Sequence, residues 1–345
     1  MKWGFRWYGE KGDTIPLKHV RQIPGINGVV GTLLTKLPGD VWEVSEIQEL
    51  KDSVEKGGLE LLGIESVAIH DAIKAGTPER DQYIENYITT IKNLSACDVR
   101  MICYSFKPIF GWAKTDLFYE NKDGSFSLVY DQAVVDKMEP ADMYKLIHSQ
   151  SKGFSLPGWE EERLNKFGKL VEMYEGVTEE ILFENLSYFL KKIIPVCEAM
   201  DVKMAIHPDD PPFELFGFPR ITKNLQDLKN ILSIVDSPYN GLTLCTGSLG
   251  AEPNNDMVEI IREVGHRINF VHFRNVEFLG ERKFRESAHL STDGSLDMYA
   301  IMKALVDVGF DGVVRPDHGR TVFDEVAMPG YGLYDRAVGA TYLNG

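Results

Sequence analysis

The chain has few cysteines, and the four it has (Cys97, Cys103, Cys197 and Cys245) lie far apart with no C-x-x-C pair. A disulfide scaffold and a zinc knuckle are therefore not indicated, and the usage fits a reducing compartment, here expected to be the cytoplasm. No apolar run approaches the roughly 18 residues of a membrane span, so no membrane partner is expected. The first ten residues, Met1 to Glu10, are polar and aromatic and lack the apolar stretch of a secretory signal. Positive charge is also scarce: 37 Lys and Arg against 52 Asp and Glu leave a net charge of −15. Such a surface repels phosphate backbones, which argues against a nucleic-acid partner and against a nuclease. The same field disfavours free anions, so any acid bound here must be held by local cations or a metal. There is no internal repeat and no low-complexity tract.

What is present is alternation. Eight short β-rich runs recur: Trp3–Trp7, Gly28–Leu33, Leu61–Ile69, Val99–Ser105, Lys203–His207, Gly241–Cys245, Asn269–Phe273 and Gly312–Arg315. Several, such as Gly-Val-Val-Gly, read as parallel strands covered on their outer face. Amphipathic windows separate them: Ser45–Lys56 (capped at Ser45), Pro78–Ala96, Glu160–Met200, Leu225–Val235, Met257–Val264 and Leu296–Val308, with Gly309 as a helix stop. This pattern predicts an α/β fold, a (β/α)8 TIM barrel in one domain over 1–345, with a doubly wound sheet as the alternative. Residues 107–158 lack clear periodicity and read as an insertion after strand 4, long enough to be a lid or a dimer contact.

In such barrels functional groups gather at the carboxyl ends of the strands. The last four strands end in His207, Cys245, His272 and the pair Asp317-His318. Two imidazoles, a thiol and a carboxylate are a donor set suited to one divalent transition metal. Each alone has a plainer reading, a structural His or a small buried Cys; four arriving from neighbouring strand ends favour the metal. A thiolate among the ligands favours zinc on affinity grounds. Other histidines divide differently: His19 and His148 read as surface residues, His266 as a helix end, while His70 and His289 could line the same pocket. Arg6 and Trp7, at the end of the first strand, could supply a guanidinium clamp for a carboxylate and a pocket wall. Arg274 and Asn275 follow His272 and offer a second cation and an amide. Near the end, "PGYGLY" is a glycine-flanked loop able to lay a phenol, Tyr331 or Tyr334, over the barrel mouth.

Together with "GVVGTL", "GIESVAIHDAIK", "AIHPDDPP", "LTLCTGSLG", "FVHFRNV", "RPDHG" and "PGYGLYDRAVGA", the opening "FRWYG" makes the chain resemble, over essentially its full length, the bacterial mannonate dehydratases. These belong to the metal-dependent barrel superfamily that includes xylose isomerase. The resemblance implies loss of water from D-mannonate to give 2-keto-3-deoxy-D-gluconate in hexuronate breakdown, with Mn2+ or Fe2+ and a homodimer. It maps the metal ligands to His207, Cys245, His272 and Asp317, the catalytic imidazole to His318, and the catalytic phenol to Tyr331 with Tyr334 as the alternative. The chemistry needs a base near carbon 2 and an acid near the hydroxyl on carbon 3. His318 as base and Tyr331 as acid, or the reverse, both satisfy it. A sugar isomerase or epimerase on the same barrel, or a non-catalytic sugar-acid binder, are the competing expectations.

Overall fold

A computed structural model describes residues 1–156, 158–159, 163 and 165–345. The strands run, in chain order, β1 Lys2–Arg6, β2 Gly28–Gly31, β3 Glu60–Glu65, β4 Met101–Tyr104, β5 Asp116–Glu120, β6 Phe126–Asp131, β7 Lys203–Ile206, β8 Asn240–Cys245, β9 Ile268–Phe273, β10 Val276–Gly280, β11 Lys283–Glu286 and β12 Val313–Pro316. Eight of them close a barrel in the order β1-β12-β9-β8-β7-β4-β3-β2, every pairing parallel. The expected TIM barrel is the observed one. The barrel strands are short, and most of their residues are buried. Val30, Met101, Cys103, Ala205 and Phe270 fill the interior, and a far larger cluster packs the outer faces against the helices.

The helices follow from the same amphipathic logic. Met257–Val264 buries Met257, Ile260, Ile261 and Val264, one face of a helix, and Asp256 caps it by accepting from the amides of Val258 and Glu259 at 2.9 Å each. Gly309 does stop the helix Met298–Asp307, with φ +72° just beyond Val308. Two expectations need correction. The helix Val44–Lys56 starts two residues earlier than a cap at Ser45 allows, because Glu43 occupies the cap position and its amide donates to Glu46. The window Glu160–Met200 is not one helix. Residues 160–162 and 164 lie outside the described residues; beyond them Phe167–Met173 ends before Gly176 (φ +78°), and Thr178 caps a new helix, Glu179–Met200. Glycine takes the left-handed turn at no steric cost, which is what separates the two. Among the described residues no helix is long and apolar enough to cross a membrane.

The segment after strand 4 is more ordered than its lack of periodicity suggests. It supplies β5, β6 and the helix Pro140–Gln150, and β6 pairs antiparallel with β11, giving a second sheet of order β10-β11-β6-β5. The partners β10 and β11 leave the barrel directly after β9, so one sheet is assembled from two chain segments about 150 residues apart. Short-range patterning carries no signal for such a pairing. Beneath it lies a second core of Phe110, Leu128, Tyr130, Tyr144, Trp159 and Phe284, against which Tyr331 packs. Phe110 is its hub, fully buried with ring centroids of Phe216, Tyr144 and Trp159 at 5.3, 5.7 and 5.7 Å. Phe110→Ala is expected to cost about 3–5 kcal/mol in this second core. Limited proteolysis should then cut between residues 107 and 178 at denaturant concentrations where the barrel's circular dichroism is still native; cleavage and loss of the barrel signal at one midpoint would contradict a separate second core.

Candidate metal centre and acid–base pair

Register brings the donors together. Parallel pairing sets Cys245 beside His272 and His272 beside Arg315, while the amide of His207 donates to Tyr104 and that of Asp317 to Phe273, each at 2.7 Å, extending their strands by one residue. Donor atoms of His207, Cys245 and His272 all lie within 4.8 Å of one another. The Asp317 Oδ2 oxygen stands 3.7 Å from the Cys245 sulfur and 3.9 Å from His272 Nδ1. Its other oxygen, Oδ1, accepts from Arg315 at 2.8 Å and faces the Tyr331 hydroxyl at 3.4 Å. Arg315 in turn grips Glu65 with two bonds of 2.8 and 3.0 Å. Glu65, Cys103 and His272 form a second, deeper group of potential donors, but the guanidinium already occupies that carboxylate.

The electrostatics suit a cation. Burial, then the neighbouring Lys107 and His272, holds the His207 imidazole well below its ordinary pKa; burial, then Arg315, lowers His272. Both rings are neutral near pH 7 and offer lone pairs. The His207 Nδ1 lies 2.7 Å from the Pro208 carbonyl and 3.2 Å from Lys107 Nζ, so it is engaged within the protein and Nε2 is the nitrogen left for a metal. Among the described residues the buried His272 Nε2 has no hydrogen-bond partner, though it stands 3.3 Å from Glu65 Oε2. Burial opposes ionisation of Asp317, but His318, Arg315, His272 and Arg274 together hold it well below the usual carboxylate range. Cys245 goes the other way: burial and the Asp317 charge push its thiol up to about 12. Two neutral imidazoles, a buried thiol and the Asp317 oxygen turned toward that thiol fit a divalent transition metal.

Beside this set, His318 Nε2 is 2.9 Å from the Tyr331 hydroxyl. Both line the cavity at the mouth, with Arg6, Glu65, Lys107, His207 and Asp317. The loop carrying Tyr331 is fixed at two points. Thr321 exchanges backbone bonds of 2.9 and 2.8 Å with Phe126 of β6, and the buried Arg336 donates to the carbonyls of Gly332 and Arg6 at 2.7 and 3.3 Å. Gly330 (φ +79°) lets the loop approach; a Cβ there would lie 2.7 Å from Leu128.

Six of the expected pocket residues do not reach this cavity. Trp7 follows Arg6 on the strand and so faces the opposite side, into the main core, donating to the Ile15 carbonyl. His70 accepts from the Ala72 amide as a helix cap and stacks on Tyr83 at 3.5 Å. Arg274 is enclosed by Asp210 and Glu286, and Asn275 is spent on the carbonyl of Leu290 and the amide of Leu296. Tyr334 is 46% exposed, in edge contact with Phe323. His289 is buried against Gly339, away from the cavity. Sequence reasoning missed Glu65, a lone carboxylate in an apolar strand, and Lys107, Asp210 and Glu286. Lys36, Lys74 and Arg163 also line the cavity but hold Glu46 and Asp71 at 2.6–3.0 Å. Lys107 stands instead 3.2 Å from His207 Nδ1, and burial, against the pull of Asp210 and Asp209, brings its ammonium down to about 8.

Known proteins resemble this chain over its whole length. A mannonate dehydratase of Enterococcus faecalis is 72% identical, spanning 100% of this chain and 97% of that protein, and one of Thermotoga petrophila is 53% identical over 100% and 96%. The crystal structure of mannonate dehydratase from Streptococcus suis serotype 2 superposes with a TM-score of 0.90 at 42% identity, covering 100% of this chain and 93% of that one. A D-psicose 3-epimerase from Clostridium cellulolyticum H10, at 15% identity and TM-score 0.57, shares the fold. With residues 1–345 all matching the family described as D-mannonate dehydratase (UxuA), this chain belongs to that family.

Proposed function

We propose that this chain is a hydro-lyase that dehydrates D-mannonate to 2-keto-3-deoxy-D-gluconate and water. The observation that carries the reading is an imidazole–phenol pair 2.9 Å apart, His318 and Tyr331, lining one cavity with His207 and Asp317, beside the buried Cys245 and His272. The last four would hold one divalent ion, Mn2+ or Fe2+ by family resemblance. When bound, the ion supplies Lewis acidity toward the substrate's carboxylate and adjacent hydroxyl.

The protein's own groups do the rest. Lys107 and Arg6 offer the acid's negative end local cations that override the −15 overall charge. The proton on carbon 2 is weakly acidic, and the Nε2 lone pair of His318 takes it. Burial, then Tyr8 and Asp317, keeps the Tyr331 phenol protonated far above neutral pH, as an acid must be. Tyr331 gives its proton to the hydroxyl leaving carbon 3. Afterwards the short His318–Tyr331 contact returns the proton from imidazole to phenolate, and both groups are restored. We read residues 1–345 as one barrel domain whose 107–158 excursion serves as a lid or dimer contact. The homodimer follows the family resemblance, and the cytoplasmic location fits four free, buried cysteines.

Two outcomes follow. His207→Ala and Cys245→Ala should lose bound metal and turnover together, whereas His318→Asn and Tyr331→Phe should keep metal and lose roughly 10²–10⁴ in kcat. Metal content by elemental analysis, with keto-acid release from D-mannonate, checks this; a fully active His318→Asn would remove the assigned base. Because only the thiol must shed a proton on metal uptake, Mn2+ affinity should rise about tenfold per pH unit between pH 6 and 8. Titration calorimetry that shows a flat pH dependence would exclude Cys245 as a ligand.

A further inference from the structure

Glu286 ends β11 and has no solvent exposure. A carboxylate in that position is costly unless charge-paired, and pairing is ample. Arg274 donates Nε to Oε2 at 2.7 Å and Nη2 to Oε1 at 2.6 Å, and Lys114 Nζ stands 3.5 Å from Oε1. The same two cations hold Asp210 at 2.7 and 3.4 Å. Two cations balance two anions, so the network is satisfied within itself. Burial works against ionisation of Glu286, but Arg274, Lys114 and His318 bring its pKa down to about 2, so it is a carboxylate at working pH.

One contact is left over. Oε1 of Glu286 stands 3.5 Å from His318 Nδ1, a buried ring nitrogen with no hydrogen bond among the described residues. On the far side of the ring, Nε2 meets the Tyr331 hydroxyl at 2.9 Å. Carboxylate, imidazole and phenol therefore stand in series. A carboxylate can only accept, so a ring nitrogen facing it keeps the proton while the opposite nitrogen presents its lone pair.

The geometry points to Glu286 as a positioning residue that fixes His318 in the Nδ1–H tautomer, with Nε2 turned to Tyr331 and the substrate. This rests on His318 being the proton-transferring imidazole of the proposed reaction. Glu286 does not line the cavity, so it acts through His318 and touches no substrate. The separation is long for a hydrogen bond, as such contacts are before substrate tightens them. It also gives the second sheet a purpose: β11 carries the carboxylate, and its partner β6 holds Thr321 in the loop that carries the phenol.

Histidine-labelled 15N NMR on the zinc-loaded, diamagnetic enzyme reads the tautomer directly. His318 should be protonated on Nδ1 in the wild type; an Nε2–H ring there overturns the proposal without any variant. Glu286→Gln should shift the tautomer and lower kcat roughly 10–100-fold with metal content unchanged. KM should stay within about twofold, and the loss should vanish when the change is made in a His318→Asn background. Wild-type kcat in Glu286→Gln, or an equal loss in both backgrounds, contradicts it. A fully active His318→Asn would instead sink the acid–base assignment itself, whatever the tautomer.

Discussion

The buried guanidinium of Arg315 is the contact on which the barrel mouth depends. It bonds Glu65 twice and Asp317 once, with no exposure of its own. Removing one member of such a set leaves an uncompensated buried charge, at about 3–5 kcal/mol. The set therefore holds as a unit, and its consequence is directional. Asp317 has one oxygen tied to Arg315 and the other turned toward Cys245 and His272. A carboxylate free to rotate could not offer the same oxygen to a cation in every molecule; this one is pre-aimed.

A second neutral network, Arg274 and Lys114 with Asp210 and Glu286, lies on the other side of His318. The two networks flank the imidazole–phenol pair and leave its members little freedom. Preorganised groups need no rearrangement when charge develops, which is where a site in a low-dielectric surrounding gains most. The second sheet and its aromatic core supply the stiffness for this, since the loop of Tyr331 is bonded to β6 at one end and to Arg336 at the other.

Much of this was legible in the sequence, for physical reasons. Doubly covered strands are short apolar runs, and barrel strands place their chemistry at their carboxyl ends, so His207, Cys245, His272, Asp317 and His318 stood out by position. Tyr331 stood out through its glycine-flanked loop. What escaped was non-local. Nothing near β6 announces that it pairs with β11 about 155 residues later, so Glu286 drew no notice. Arg274 looked like a substrate cation because it follows a ligand, yet its guanidinium is consumed by Asp210 and Glu286. Side-chain alternation put Arg6 at the cavity and Trp7 away from it, and a helix cap drew His70 aside. Charges read singly from sequence cannot be assigned partners; only packing does that.

The central claim is that two imidazoles, a thiolate and a carboxylate share one metal ion at the barrel mouth. X-ray absorption at the manganese edge of the Mn2+-loaded enzyme tests it most directly. The account predicts one sulfur neighbour together with the multiple-scattering pattern of two imidazoles. A shell of oxygen and nitrogen alone, with no sulfur, would contradict it.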